Sequence, residues 1–529
     1  MVTSMVIFEK SPIAKASQKT ARMSQENNEL FQKALDYGVI VSNDSKKTRD
    51  MLAEADKVWE TALKKSATLS NRMNGDIIDP SHISDSRITE IDHTGKEQQR
   101  PIIDLVQQGG GMFGIALLGY TYIMEKVGIR FHSYGGTSAG AINAAFLAAV
   151  PNTVYQKESL LNSGKSTRQT TKSEVLTHII ANTDFSTFME RGGIIGFLQE
   201  ALFKNYRSWK LWLPLVLLSM VFLLGIYAMF SLIITTENGL TGTEIRVYDF
   251  IIGTFNVFAF ALFCYFLVLR ALGRNFGLNS GDVYYNWVDT LMHLFEIHNT
   301  KELNSRLKES IDITDKKGKK QSTNPRLVLM SANLTHNKVV KLPEEAGDYW
   351  INPWNVKPAA YLRATMSLPF IFEVLIPDMK HYDIIEKTNR VSTVATFVDG
   401  GLLSNFPIRE FHGIDGETAG FPTFGVLLSS RENPHNEGRK YTFWRFIGSF
   451  LKTFKNFYDN DYLIRNKETE FLVELVNTKD YNWMNFWMND ADKRGLFKQG
   501  ALAAINQLEK FDWQEYSIER KKEETHTKF

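Results

Sequence analysis

One cysteine, Cys264, stands in a chain of 529 residues, so no disulfide can form within it. That scarcity fits a reducing compartment. Net charge is also scarce: 61 basic against 59 acidic residues leave +2, too little for a nucleic-acid binder. The first fifteen residues lack a long apolar core and do not read as a secretory signal. With 43% hydrophobic and 23% charged residues, the chain has the composition of a folded protein. Its length predicts one large domain with additions, or two to three domains.

The most informative stretch is Gly136-Thr137-Ser138-Ala139-Gly140, which reads G-x-S-x-G. That pattern lifts a serine onto a tight turn between a strand and a helix. The run at 130–134 can be a strand, and the alanine-rich run at 141–149 is a strong helix former. Glycines on either side keep the turn uncrowded and leave room for a substrate.

Two further motifs accompany it. Gly109-Gly110-Gly111 and Gly114 lie between an apolar strand-like run at 102–106 and a helix-like run at 115–127. Backbone N–H groups at such a junction favour negative charge, as on the oxyanion of a tetrahedral intermediate. Downstream, Asp399-Gly400-Gly401 ends the apolar run 393–397 and places a carboxylate where it can accept a proton. Two rival readings exist. Gly109, Gly111 and Gly114 also fit a dinucleotide-binding loop, but the next strand ends in the serine turn and offers no acidic residue. A Ser-His-Asp hydrolase would draw on His412 or His435; His132, on the strand into the serine turn, reads as structural.

The ordered triple resembles the patatin-like phospholipase family, in a bacterial-type form. Family-like echoes include the segment 363–370, Asn405 and Pro407 after the aspartate, Gly281-Asp282 with Trp287, Val288 and Leu291, and Phe497 to Gly500 with Ala503. The resemblance covers about residues 100–515. It implies a Ser-Asp dyad without histidine: Ser138 as nucleophile and Asp399 as general base. It also implies an oxyanion hole from Gly109, Gly110, Gly111 and Ala139, a membrane-lipid substrate, and no metal or organic cofactor. Many members carry Arg or Lys where this chain has Phe113, which weakens the expectation of an anionic head group.

The expected fold is α/β: a three-layer sandwich with a mostly parallel central sheet, strands falling near 102–107, 130–135, 326–333, 394–398 and 423–428. Residues 1–99 read as a helical arm and linker, 100–515 as the catalytic domain, and 516–529 as a polar tail. Two uncharged apolar runs, 211–234 and 250–269, interrupt the catalytic domain. Each is long enough to cross a bilayer, and basic flanks predict a transmembrane hairpin with the catalytic domain on the cytoplasmic side. Aromatics recurring at helical spacing over 443–457 read as an interfacial helix or a helix packed on the sheet. The expectation is therefore a membrane-anchored acyl hydrolase acting on glycerophospholipids or lysophospholipids. The alternative is an idle membrane scaffold of the same fold that binds lipid or a protein partner.

Overall fold

The computed structural model describes residues 30–91, 97–151, 171–190, 276–309, 313–321, 323–377, 395–412, 422–429 and 469–526, with short pieces between them. Nine strands join in the main sheet among the described residues. They are β1 (Arg87–Ile91), β2 (Glu97–Gln107), β3 (Arg130–Thr137), β4 (Ile313–Thr314), β5 (Leu327–Asn333), β6 (Lys338–Leu342), β7 (Phe397–Asp399), β8 (Thr423–Ser429) and β9 (Val473–Asn477). The principal helices are α1 (Ser45–Lys65), α2 (Gly114–Lys126), α3 (Ala139–Ala149), α4 (Lys172–Asn182), α5 (Asp282–Leu294), α6 (Pro358–Thr365), α7 (Asp490–Lys510) and α8 (Trp513–His526).

Strand side chains alternate between two faces, and the core follows that period. Ile103 and Leu105 on β2, and Leu327 and Leu329 on β5, join the helix-covered core. Val106, Val328 and Met330 face the other way, under Phe406, Ile408 and Phe411. Helix α2 packs on α7 over the first face, and α3 packs on β3 and β5. Each expected strand has a counterpart, and the architecture is mixed α/β.

The sheet is only partly parallel, which corrects the expectation of a mostly parallel one. Five strands, β5-β3-β2-β8-β9, run parallel in the centre. Antiparallel partners are added around them: β6 and β7 on β5, and β1 on the N-terminal half of β2. The reason is local. Strand β2 starts at Glu97 and overhangs the parallel sheet, so its free edge there takes β1. Within residues 1–99, read as helical arm and linker, Arg87–Ile91 forms a strand, and the polar stretch from 516 lies largely within α8.

The N-terminal stretch forms helix 30–36 and α1, which buries Met51, Leu52, Ala55 and Trp59 against α7 and α4. Asn43 and Thr48 hold His178 of α4 at 2.9 and 2.8 Å. Among the described residues, no helix is long and apolar enough to cross a membrane. The segments expected to do so, 211–234 and 250–269, lie outside the described residues except at 225–226, 253–255 and 257–260, which are helical. The aromatic stretch 443–457 also lies outside them.

Candidate active site

The sheet register brings the serine and aspartate motifs together. Residues 329–330 of β5 pair with β6 and β3 at once, and residues 331–333 pair with β6 and β7 at once. A strand has two edges, so β3 and β7 share the edge opposite β6. Strand β3 leaves that edge at Thr137, opposite Met330; β7 occupies it from Asp399, opposite Ser331. Asp399 therefore takes the next position along the edge from which Ser138 turns away.

Ser138 occupies the turn between β3 and α3 with φ 52° and ψ −120°. This left-handed conformation costs a side-chain-bearing residue about 1–3 kcal/mol, and the surroundings must hold it. Thr365, at the end of α6, does so: its hydroxyl oxygen accepts from the Ser138 N–H at 2.8 Å and donates to the Met330 carbonyl at 2.5 Å. The Ser138 hydroxyl donates to Met366 Sδ at 3.2 Å. The next residue, Ser367, accepts the Asp399 N–H at 2.9 Å. Three consecutive residues, Thr365 to Ser367, thus clamp both motifs. Buried Arg363 fixes this segment, donating to Ser367 Oγ and to the carbonyls of Ser280 and Glu373.

Asp399 is 4% exposed and Ser138 3%. One Asp399 carboxylate oxygen, Oδ1, accepts from the Gly401 N–H at 2.7 Å. A Cβ on Gly401 would sit 2.9 Å from that oxygen, and one on Gly400 would press on the Met330 carbonyl, so the chain after Asp399 folds back where a side chain has no room.

Asn405 joins the third motif. Its Nδ2 donates to the Gly109 carbonyl at 3.0 Å, and the Gly109 N–H donates to its carbonyl at 3.1 Å. A Cβ on Gly109 would lie 3.1 Å from the Ser138 Cβ. The glycine loop, the serine turn and the Asp399 loop are thus contiguous. Gly140 backs onto the carbonyls of Gln107 and Gln108, Gly136 onto Gly140, and Gly114 onto Ala139. These glycines set the spacing of the turn and leave the chemistry to others.

The candidate oxyanion donors are not equivalent. The Gly109 N–H donates to the Asn405 carbonyl. Gly110 and Gly111 make no backbone hydrogen bond through N–H among the described residues. Gly111, at φ +55°, turns the loop beneath Trp483, whose carbonyl accepts the Met112 N–H at 2.9 Å. The Ala139 N–H opens α3, where a helix supplies no partner of its own.

Beside the site lies an apolar cavity, part of it open to solvent. Gly111, Ala139 and Met366 line it next to Ser138, and Phe185, Phe188 and Trp287 line it elsewhere. No histidine is among the described hydrogen-bond partners of Ser138. The His412 ring packs against Tyr462 and Tyr516 instead. His132 lies 3.2 Å from Asp104 and 2.8 Å from Ser133, within the sheet, and His435 lies outside the described residues. Motif reading missed the roles of Thr365 and Met366, although the segment holding them stood out. Tyr284, another cavity residue, gave no signal beyond an apolar helix position.

A serine held in a left-handed turn between strand and helix, beside a glycine loop and a buried aspartate, defines the nucleophile-elbow class of α/β proteins. The family model described as patatin-like phospholipase matches residues 105–246 and 247–412, more than half of the chain, and the chain belongs to that family. It is similar to an uncharacterized protein of Bacillus subtilis (strain 168), YqhO, with 24% identity over 398 residues, 75% of this chain and 95% of that one. Among solved structures it is similar to VipD from Legionella pneumophila, with 14% identity and a TM-score of 0.31 over 80% of this chain and 70% of that one. Patatin domains are generally lipid acyl hydrolases, which supports a hydrolase here.

Proposed function

We propose that this protein is a serine acyl hydrolase that cleaves an ester of a glycerophospholipid or lysophospholipid through Ser138 and Asp399. The observation that carries the reading is the shared edge of β5, which puts Asp399 next to the strained turn of Ser138. Ser138 Oγ attacks the ester carbonyl carbon while its proton passes to the Asp399 carboxylate. The N–H groups of Gly110, Gly111 and Ala139 are the donors for the resulting oxyanion. On collapse, the bond to the alcohol breaks and Asp399 returns the proton to the leaving oxygen. Water then attacks the acyl-enzyme, gives a proton to Asp399, and the fatty acid leaves as Ser138 recovers its hydrogen. The apolar cavity beside Ala139 and Met366 suits the acyl chain.

The Ser138 hydroxyl must first turn from Met366 toward Asp399, a rotation about one side-chain bond. Unliganded sites often hold their catalytic hydrogen bonds loosely, so the resting contact is compatible with the dyad. Ser138→Ala and Asp399→Asn are each expected to lower ester turnover on the order of 10³-fold or more, and the double variant by little beyond either. A Ser138→Ala protein that hydrolyses near the wild-type rate refutes the nucleophile. If His412→Ala abolishes turnover and Asp399→Asn spares it, a histidine triad replaces the dyad.

We further propose that segments 211–234 and 250–269 anchor the enzyme in the membrane of its substrate. Support comes from their length without charge, and from the described pieces. A Cβ on Gly253 would lie 2.8 Å from the Gly225 carbonyl, so the two helical pieces touch at glycines. Phe255 and Phe258 are 69% and 64% exposed. The protein is expected to stay in the pellet after alkaline carbonate extraction; complete release would refute an integral hairpin.

A further inference from the structure

The wall of the cavity beside Ser138 includes a tyrosine that the proposed reaction does not use. Tyr284, on α5, lines the cavity and is 2% exposed. Its ring meets Phe188 edge-on at 5.5 Å and stacks on Trp287 at 6.5 Å, so the side chain has little freedom. Its hydroxyl oxygen is buried and has no hydrogen-bond partner among the described residues. Asn143, another polar wall residue, contrasts with it: its amide donates to Gln107 Oε1 at 2.8 Å and to Thr121 Oγ1 at 3.3 Å. Burial holds the Tyr284 phenol well above its ordinary ionisation range, so it is a neutral O–H donor; the charges of Arg363 and Asp399 both reach it.

A buried hydroxyl without a partner costs free energy, and a ligand oxygen that satisfies it recovers that cost. A phenylalanine would line an acyl cavity equally well without the penalty. We propose that Tyr284 is a specificity determinant, donating a hydrogen bond to an oxygen of the bound lipid and favouring lipids that bring one within its reach over bare hydrocarbon. The oxygen has two possible sources, a hydroxyl on the acyl chain or the ester carbonyl at the neighbouring glycerol carbon. This rests on the acyl-hydrolase reading and names what the cavity selects. Sites that hydrogen-bond a ligand oxygen discriminate more sharply than apolar ones, because the wrong ligand leaves the protein group unpaired.

The test measures binding in Ser138→Ala protein, so it does not depend on turnover. Three non-hydrolysable ligands serve as probes: a monoalkyl glycerophosphocholine ether, its chain-hydroxylated counterpart, and its counterpart acetylated at the neighbouring glycerol carbon. One oxygenated probe is expected to bind about 2- to 13-fold more tightly than the plain ether, the range of a net hydrogen bond. Adding Tyr284→Phe is expected to erase that preference. Which probe gains identifies the source of the oxygen. Equal affinity for all three probes, or a preference that survives Tyr284→Phe, overturns the proposal, as does Tyr284→Phe weakening all three alike, the mark of a packing role. Parallel turnover assays keep the two readings apart. Hydrolysis that persists in Ser138→Ala refutes the nucleophile, while the binding preference still reports on Tyr284.

Discussion

The Ser138 hydroxyl lies 3.2 Å from Met366 Sδ and donates to it, while Asp399 holds the adjacent position along the strand edge. Met366 also lines the apolar cavity. It therefore stands between the resting nucleophile and the space for the acyl chain. A thioether is a weak acceptor, so the contact orients the hydroxyl without locking it. Met366→Leu keeps the volume and removes the acceptor. It is expected to raise the second-order rate of Ser138 labelling by a fluorophosphonate about 2- to 5-fold, the loss of a weak hydrogen bond. An unchanged or slower rate, read by gel fluorescence over time, argues that Met366 only packs.

Asn405 ties the glycine loop to the loop after Asp399 through two bonds with Gly109. Asn405→Ala removes the side-chain bond and leaves the Gly109 carbonyl without that donor. Loss of one net hydrogen bond lowers stability by about 0.5–1.5 kcal/mol. Turnover is expected to fall at least 10-fold, because a misplaced oxyanion loop costs more in the transition state than in the fold. Steady-state kinetics beside a melting curve separates the two; equal small losses in both would count against a positioning role.

Thr365 satisfies the Ser138 N–H and the Met330 carbonyl together. Thr365→Val keeps the shape and removes the hydroxyl that bonds both groups; a buried group left unpaired costs about 1–3 kcal/mol. Denaturant unfolding is expected to show a loss of that order, whereas Thr365→Ser retains both bonds and most of the stability.

The pH response points to the N-terminal helices. His178 is held neutral between Thr48 and Asn43, and burial pushes its pKa down to about 4, against the opposing pull of Asp44. In the unfolded chain it titrates near 6.5. Between about pH 4 and 6.5 the unfolded state binds more protons, so stability rises with pH across that window and is lost as pH falls through it. His178→Gln, which stays neutral, is expected to flatten the slope of Tm against pH there. An identical slope in both proteins would place the acid sensitivity elsewhere.

Much of this was legible in the sequence. Apolar runs at 102–107, 326–333 and 423–428 became central strands because both faces of that sheet are covered and alternate positions are buried alike. The glycine and serine motifs stood out because close backbone approach leaves glycine alone at those positions. Strand β1 did not, since Arg87, Thr89 and Glu90 carry no apolar alternation and pair only because β2 overhangs the sheet. The clamp from Thr365 to Ser367 joins residues 227 and 35 apart through Thr365 alone, and the surroundings of Tyr284 come from separate elements, which local pattern does not encode.

The acyl-hydrolase reading stands or falls with Ser138 as the nucleophile. Fluorophosphonate labelling of the 529-residue chain, followed by mass spectrometric mapping of the adduct, tests this. A single phosphonylated site is expected on the peptide carrying Ser138, absent in Ser138→Ala and strongly slowed in Asp399→Asn. An adduct on another serine, or none on a protein that hydrolyses lipid esters, would contradict it.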